Sequence, residues 1–546
     1  MPDFDLIIKN ARIHDGTGSP SFFGFLAVKE GKVGLLREGK LSLDLSAKEV
    51  LDAEELCLSP GFIDSHSHAD EVIFVNPERE QVLRMGVTTE IAGQCGHTES
   101  PYPEDVDEKL YNMASGNFGG RPYENFAALA GAVEKLPLGV NEAWFTGHGA
   151  LRTSVLGFEN RKATDAEIEK MRELLAREME SGALGFTTGL AYVPGIYSDV
   201  RELSGIAEGM KPYGGIYSSH TRSESAGLFD AVKECIDVGR ATGLRANISH
   251  FKACYPEFWD RMDRALSMVD EAIAEGVDVT MDAYPYIAVS TTTLSAMPSQ
   301  FLTRGAEAFA ESLSDPSVRE AIRREIYEID SPDWDNALKH AGPDRFLVVC
   351  AEDTPEYEGL SYTQIAERLR MEPFDAVLWM LEKNHGHITD VRFIMCEENV
   401  EKVLAHPVCT VGSDGIWKKG RDRTCHPRAF GTFPRYLGHY IRERGILSRE
   451  EGIRRITGMP AERYGLCRMN AERSAGAGKG VLLPGFDADL VLFDYDTIKD
   501  GGDFKNPFTL NEGIEKVFVG GKTVLRENEL TGIAAGKFLR RGCFAR

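Results

Sequence analysis

The spacing of apolar positions changes along the chain, and the change separates its ends from its middle. Near the N-terminus, residues 6–8, 11–13, 25–28 and 32–36 are short strand-like runs, punctuated by turn residues at Asp15-Gly16 and Glu30-Gly31. Near the C-terminus, residues 488–493 form another such run, and 516–519 and 523–525 flank Gly520-Gly521, a two-glycine hairpin signal. Neither end is large enough for a core of its own. The two are therefore expected to pack together as one small β-domain, which brings the termini close.

Between them, strand and helix periods alternate. Thr164 followed by Glu167 is a capping box; Ile168, Met171, Leu174, Leu175 and Met179 make the apolar stripe of the helix it opens, and Gly182 stops it. A strand at 183–187 follows at once. The unit recurs as strand 215–219, a helix with Leu228, Val232, Cys235 and Ile236, strand 245–249, a helix over 262–274 and strand 277–282. Such alternation predicts a parallel sheet, and at this length a closed (β/α)8 TIM-like barrel rather than an open sheet. Residues from about 296 to 370 are richer in charge, proline and helix-like segments and read as an insertion or lid in the barrel. The expected division is 1–60 and 467–546 for the two parts of a small β-sandwich domain, with 61–466 as the barrel. No GxGxxG or GxxxxGK[ST] loop opens a helix, which argues against dinucleotide and NTP binding.

Composition narrows the class. With 546 residues, 62 Lys and Arg against 85 Asp and Glu and a formal charge of −23, the chain is ill suited to nucleic acid or anionic membranes, which need clustered basic residues. No apolar run is long enough to span a bilayer, and the start MPDFDLIIKNARIHD is not a secretory signal. Ten cysteines without paired spacing read as reduced thiols, hence a cytoplasmic protein.

Several predicted strands end in metal-ligand residue types. The run 58–63 leads into Asp64-Ser65-His66-Ser67-His68, where His66 and His68 share a face. A lone His-x-His is as readily a pair of capping histidines. Further strand-like runs, however, end at Cys95, His220, His250 and Asp414. Taken singly, Cys95 reads as a core thiol and His220 and His250 equally well as hydrogen-bonded core histidines; jointly, at strand ends that converge on one barrel mouth, the six residues point to a metal site. Imidazole with thiolate suits Zn²⁺ and excludes Mg²⁺ or Ca²⁺. A catalytic zinc lowers the pKa of its water toward 7, and a neighbouring carboxylate, here Asp414, is the natural general base and acid. His148 and His426 lie near the same loops as supporting residues.

The stretch Gly61-Phe62-Ile63-Asp64-Ser65-His66-Ser67-His68 resembles the opening strand of the amidohydrolase superfamily. With GQCG (93–96), GHGALR (147–152), GLAYVPG (189–195), SHTRSE (219–224), ISHFK (248–252), DAYPY (282–286), VGSDG (411–415) and HPRAFGTFPR (426–435), the chain resembles the N-acyl-D-amino-acid deacylase family over nearly its whole length. The resemblance implies a tightly bound zinc on Cys95, His220 and His250. It implies a second, weaker position at His66, His68 and Asp414, with Asp414 also shuttling the proton. Lys252, Tyr284, Ser290 and Arg428 match residues that hold the substrate's carboxylate and amide. Gln94 and Val289 depart from the family's usual residues. The implied reaction is hydrolysis of N-acyl-D-amino acids, small molecules, to a carboxylate and a free D-amino acid. The rival readings are a cyclic-amide hydrolase, which usually carries a bridging lysine where this chain has Cys95, and a non-catalytic scaffold, which would have lost ligands that are all present here. Residues 287–298 contain no Lys or Arg, so neutral or apolar D-side chains are expected over D-Asp and D-Glu.

Overall fold

The computed structural model describes residues 2–41, 45–106, 121–329, 334–417, 419–420, 424–470, 472 and 474–544. The strands of the two ends share a single nine-stranded sheet. Cys57–Pro60 from the N-terminal part pairs antiparallel with Leu490–Phe493 from the C-terminal part, Leu490 facing Pro60 and Phe493 facing Cys57. Leu6, Ile8, Ile13, Leu26, Leu58, Leu490 and Phe518 from both parts bury one another in a common cluster. The runs 6–8 and 11–13 are one strand, Phe4–Ile13, whose register shifts between Ile8 and Ala11. Asn10, at φ 56°, forms the irregularity and ties its side-chain amide to Asp52. Gly520 and Gly521, at φ 55° and 73°, supply the paired positive φ that a tight hairpin needs.

The run 58–63 divides into two strands, Cys57–Pro60 in the large sheet and Phe62–Asp64 in the next. Gly61 makes the crossing. A Cβ there would lie 2.0 Å from Thr88 Oγ1, so only glycine allows the backbone this close.

Eight parallel strands follow, numbered here in chain order: β1 (Phe62–Asp64), β2 (Val87–Ala92), β3 (Asn141–Trp144, resumed at Thr146–Gly147), β4 (Gly185–Gly189), β5 (Ile216–His220), β6 (Arg245–Ile248), β7 (Val279–Ala283) and β8 (Cys409–Val411). Each pairs with the next in this order. β4, β5 and β7 are buried throughout, as strands covered on both faces must be. The helix Asp165–Glu180 opens on the expected capping box and buries Ile168, Met171, Leu175 and Met179. Beyond β8, Ser65 N donates to Val411 O (3.1 Å) and Asp414 N to His66 O (2.7 Å), joining the segments that leave β1 and β8.

Between β7 and β8 the chain makes a three-stranded antiparallel sheet of Val289–Thr292, Thr389–Arg392 and Phe346–Cys350, with helices that include Pro316–Tyr327. This excursion is longer than the 296–370 that composition marks, because its first and last strands in chain order, Val289–Thr292 and Thr389–Arg392, are ordinary β sequence. Among the described residues, no helix is long and apolar enough to cross a membrane.

Candidate metal centre

The carboxyl ends of β1, β2, β5, β6 and β8 deliver the candidate ligands. His220 is the last residue of β5, and the others sit two to four residues beyond their strands. Cys95, His250 and Asp414 all have positive φ, at 55°, 35° and 49°. Such backbone costs about 1–3 kcal/mol per non-glycine residue and persists only where neighbours impose it. Here His250 N donates to Asp282 Oδ1 (2.8 Å), and Asp414 N is tied to His66 O. The turns aim three side chains inward that a relaxed strand end would not.

Two overlapping groups result. His66, His68, Cys95 and Asp414 place one ligand atom each within 4.8 Å of one another, and so do Cys95, His220 and His250. Cys95 Sγ lies 3.4 Å from His66 Nε2 and 3.6 Å from His250 Nε2, so the thiol is shared. A tetrahedral zinc with bonds of about 2.3 Å to sulfur and 2.0 Å to nitrogen sets those atoms about 3.5 Å apart. The donor set therefore fits the ion in chemistry and in its sulfur–nitrogen spacing, while His220 Nδ1 and His250 Nε2, 2.8 Å apart, would separate to about 3.3 Å around the ion. Burial alone would push the Cys95 thiol up, but His66, His220 and His250 together hold it well below its ordinary 9.0, which makes it a thiolate donor.

Carboxylates orient the rings. Asp282 Oδ1 sits 3.0 Å from His66 Nδ1, leaving Nε2 toward Cys95. Glu71 lies 2.9 Å from His68 Nδ1, whose Nε2 meets Asp414 Oδ1 at 3.0 Å. Glu224 Oε1 lies 3.1 Å from His250 Nδ1 and 2.6 Å from Lys252 Nζ. Such partners fix ring orientation and raise ligand basicity. The sequence reading did not single out these three acids. Asp282 could have been found, since it is the penultimate residue of β7, where the rule that flagged the other strand ends also applies. Glu224 and Glu71 carry no such signal.

The model described as "Amidohydrolase family" matches residues 49–525. The chain belongs to the amidohydrolase family. Within it, a D-aminoacylase of Alcaligenes xylosoxydans xylosoxydans is 31% identical over 545 residues, covering 98% of each chain. An N-acyl-D-glutamate deacylase of the same organism is 30% identical, covering 98% of this chain and 96% of its own. The solved N-acyl-D-glutamate deacylase of Bordetella bronchiseptica, complexed with zinc and a phosphonate mimic of the tetrahedral intermediate, superposes with a TM-score of 0.81 at 29% identity, covering 98% of this chain and 99% of that one. An L-hydantoinase of Arthrobacter aurescens, at 16% identity and a TM-score of 0.55, shares the fold alone.

This amidohydrolase, a metal-dependent hydrolase of the D-aminoacylase group, brings its remaining candidate residues to one side of the centre. Arg428 opens the helix Arg428–Arg435; its Nη1 lies 2.7 Å from Asp414 Oδ2 and its Nη2 donates to Ser290 O at 3.2 Å. Its guanidinium covers the Tyr284 ring at 4.7 Å, and Lys252 Nζ approaches the same ring at 5.6 Å. Burial opposes the charge on Lys252, yet Glu224 keeps its amine strongly basic. Ser290 contributes its carbonyl, from a strand at the sheet edge. His426 accepts from Arg428 N and reaches Ala288 O, both at 3.0 Å, and so ties the Arg428 helix to the strand of Ser290. His148 is bound instead to Glu202 at 2.9 Å. Tyr192, another residue not foreseen, sets its ring tilted against that of His220, 4.7 Å away, and shares a hydrogen bond with Thr291 Oγ1 (2.9 Å).

Proposed function

We propose that this protein hydrolyses N-acyl-D-amino acids to a carboxylate and a free D-amino acid. The observation that carries the reading is the meeting of a shared-thiolate ligand set, a carboxylate and a buried arginine at one centre. Cys95, His220 and His250 would hold a zinc ion tightly, and His66, His68 and Asp414 a second, weaker one. When bound, zinc supplies Lewis acidity toward an amide carbonyl and lowers the pKa of water. Asp414 accepts the proton of the attacking water and returns it to the departing nitrogen, a role worth about 10²- to 10⁴-fold. Arg428 offers a planar fork to the substrate carboxylate, with Lys252, Tyr284 and Ser290 beside it. A carboxylate gripped there and an amide at the metal leave one face of Cα toward the water, which selects one enantiomer.

The side-chain preference is for neutral or apolar D-residues. The segment 287–298 lacks a cation. For the fold, we take the eight strands as one closed (β/α)8 barrel, supported by the bonds between the segments leaving β1 and β8. The nine-stranded sheet, wrapped on its own core, then serves as a small sandwich. The proposed bounds are 1–60, 61–466 and 467–546. None of the ten cysteines is joined in a disulfide, which supports a cytoplasmic setting. A panel of N-acetyl-D- and N-acetyl-L-amino acids with ninhydrin detection tests the activity. Release confined to the D-series supports it, and equal release from both series contradicts it.

A further inference from the structure

Asp335 lies in the excursion between β7 and β8, yet its carboxylate collects three donors from the loop after β5. Ser223 Oγ donates to Oδ1 at 2.5 Å, Glu224 N donates to Oδ2 at 2.7 Å, and Ser225 Oγ also donates to Oδ1. Ser223 and Ser225 are buried, and Ser223 Oγ accepts in turn from the amides of Ser225 (3.2 Å) and Gly227 (3.1 Å). The loop is thus wound around one carboxylate that it does not itself supply. Glu224, at its centre, presents Oε1 to His250 Nδ1 and Lys252 Nζ on the opposite side.

Asp335 is itself held. Asn336, next in sequence, caps the short helix Ala337–Ala341 by accepting from Lys339 N (3.2 Å), and donates to Ile326 O (2.7 Å). In that helix, His340 packs its ring 5.5 Å from Tyr255 and 5.3 Å from Phe258, which lie in the chain that follows His250 and Lys252. One short segment of the excursion therefore touches both loops that leave the His220 and His250 strands.

We propose that Asp335 is a positioning residue for the metal centre, holding the 223–225 loop so that the Glu224 carboxylate stays on His250 Nδ1 and Lys252 Nζ. This rests on reading Cys95, His220 and His250 as a zinc site. Without the Asp335 carboxylate, two buried hydroxyls and one amide lose their acceptor, and such groups seek another or draw in water. The nearest effect is on the bearing of Glu224, and through it on the ring that carries one ligand nitrogen. Changes to groups that orient a metal ligand typically cost about 10- to 100-fold in metal affinity or activity.

The test loads the full chain with zinc and follows zinc loss to an excess of a chromogenic chelator, with kcat, KM and the melting temperature measured beside it. Asp335→Ala is expected to lose zinc about 10-fold faster and to lower kcat with little change in KM. Asp335→Asn, which keeps an acceptor oxygen for the serines, is expected to restore most of the retention. The double variant Ser223→Ala/Ser225→Ala approaches the same contact from the other side and should reproduce the fast release. Adding Asp335→Ala to it should then cost little more, since all three act through one contact. This serine pair carries the test if Asp335→Ala does not fold. Wild-type zinc retention in Asp335→Ala, or in the serine pair, with only the melting temperature lowered, overturns the proposal. A wild-type protein that takes up no zinc overturns the metal-centre reading itself, and the proposal with it.

Discussion

Replacing Arg428 by methionine separates two jobs that the structure gives this side chain. The guanidinium is buried, with Nη1 2.7 Å from Asp414 Oδ2, Nη2 3.2 Å from Ser290 O and its face on Tyr284. Methionine keeps an apolar stem over Tyr284 and removes the fork. Asp414 keeps its contact with His68 Nε2 at 3.0 Å, so the ligand set survives and the zinc content should not change. A lost hydrogen bond to a charged group costs about 1.5–3 kcal/mol, roughly 10- to 150-fold. Loss of the Asp414 contact falls on every substrate, whereas loss of the carboxylate grip falls only on substrates that have a carboxylate. The informative number is therefore the ratio of kcat/KM on N-acetyl-D-leucine to that on its carboxamide, measured for wild type and variant. That ratio should fall by about 10- to 150-fold in Arg428→Met. If both substrates lose equally, Arg428 acts only through Asp414 and holds no substrate carboxylate.

Further outcomes are expected. Cys95→Ala should lose zinc and activity together, whereas Asp414→Asn should keep the zinc of the Cys95, His220 and His250 set while turnover drops about 10²- to 10⁴-fold; metal content and kcat for each variant check this. N-acetyl-D-leucine or N-acetyl-D-methionine should show a higher kcat/KM than N-acetyl-D-glutamate, and the reverse order would refute the side-chain assignment. His14 is buried with neither ring nitrogen bonded, and its burial pushes the pKa down from 6.5 to about 4. The unfolded chain then binds a proton that the fold refuses, so stability is full above pH 6.5 and falls by up to about 3 kcal/mol as pH drops toward 4. Denaturation of His14→Leu and wild type across that range should show a flatter dependence in the variant, and parallel curves would refute it.

The gathering of His66, His68, Cys95, His220, His250 and Asp414 was legible in the sequence because each stands at or just after the end of an apolar strand, and these strand ends converge. The positive φ at Cys95, His250 and Asp414 was not, since residue type does not announce left-handed backbone outside glycine. Nor was the engagement of Lys252 with Glu224: a lysine beside a cavity and a lysine in an ion pair have the same sequence. Asp335 was the least legible. It contacts a loop more than a hundred residues away, and nothing in its neighbourhood marks it. Likewise, 58–63 reads as one apolar run, and only the approach of Thr88 to Gly61 reveals that it serves two sheets.

The most direct test of the central claim is the release of free amine from N-acetyl-D-leucine and N-acetyl-L-leucine by one preparation, before chelation, after chelation and after zinc is restored. The account predicts release from the D-enantiomer alone, lost with the metal and regained with stoichiometric zinc. Release that survives removal of the metal, or that does not distinguish the enantiomers, would contradict it.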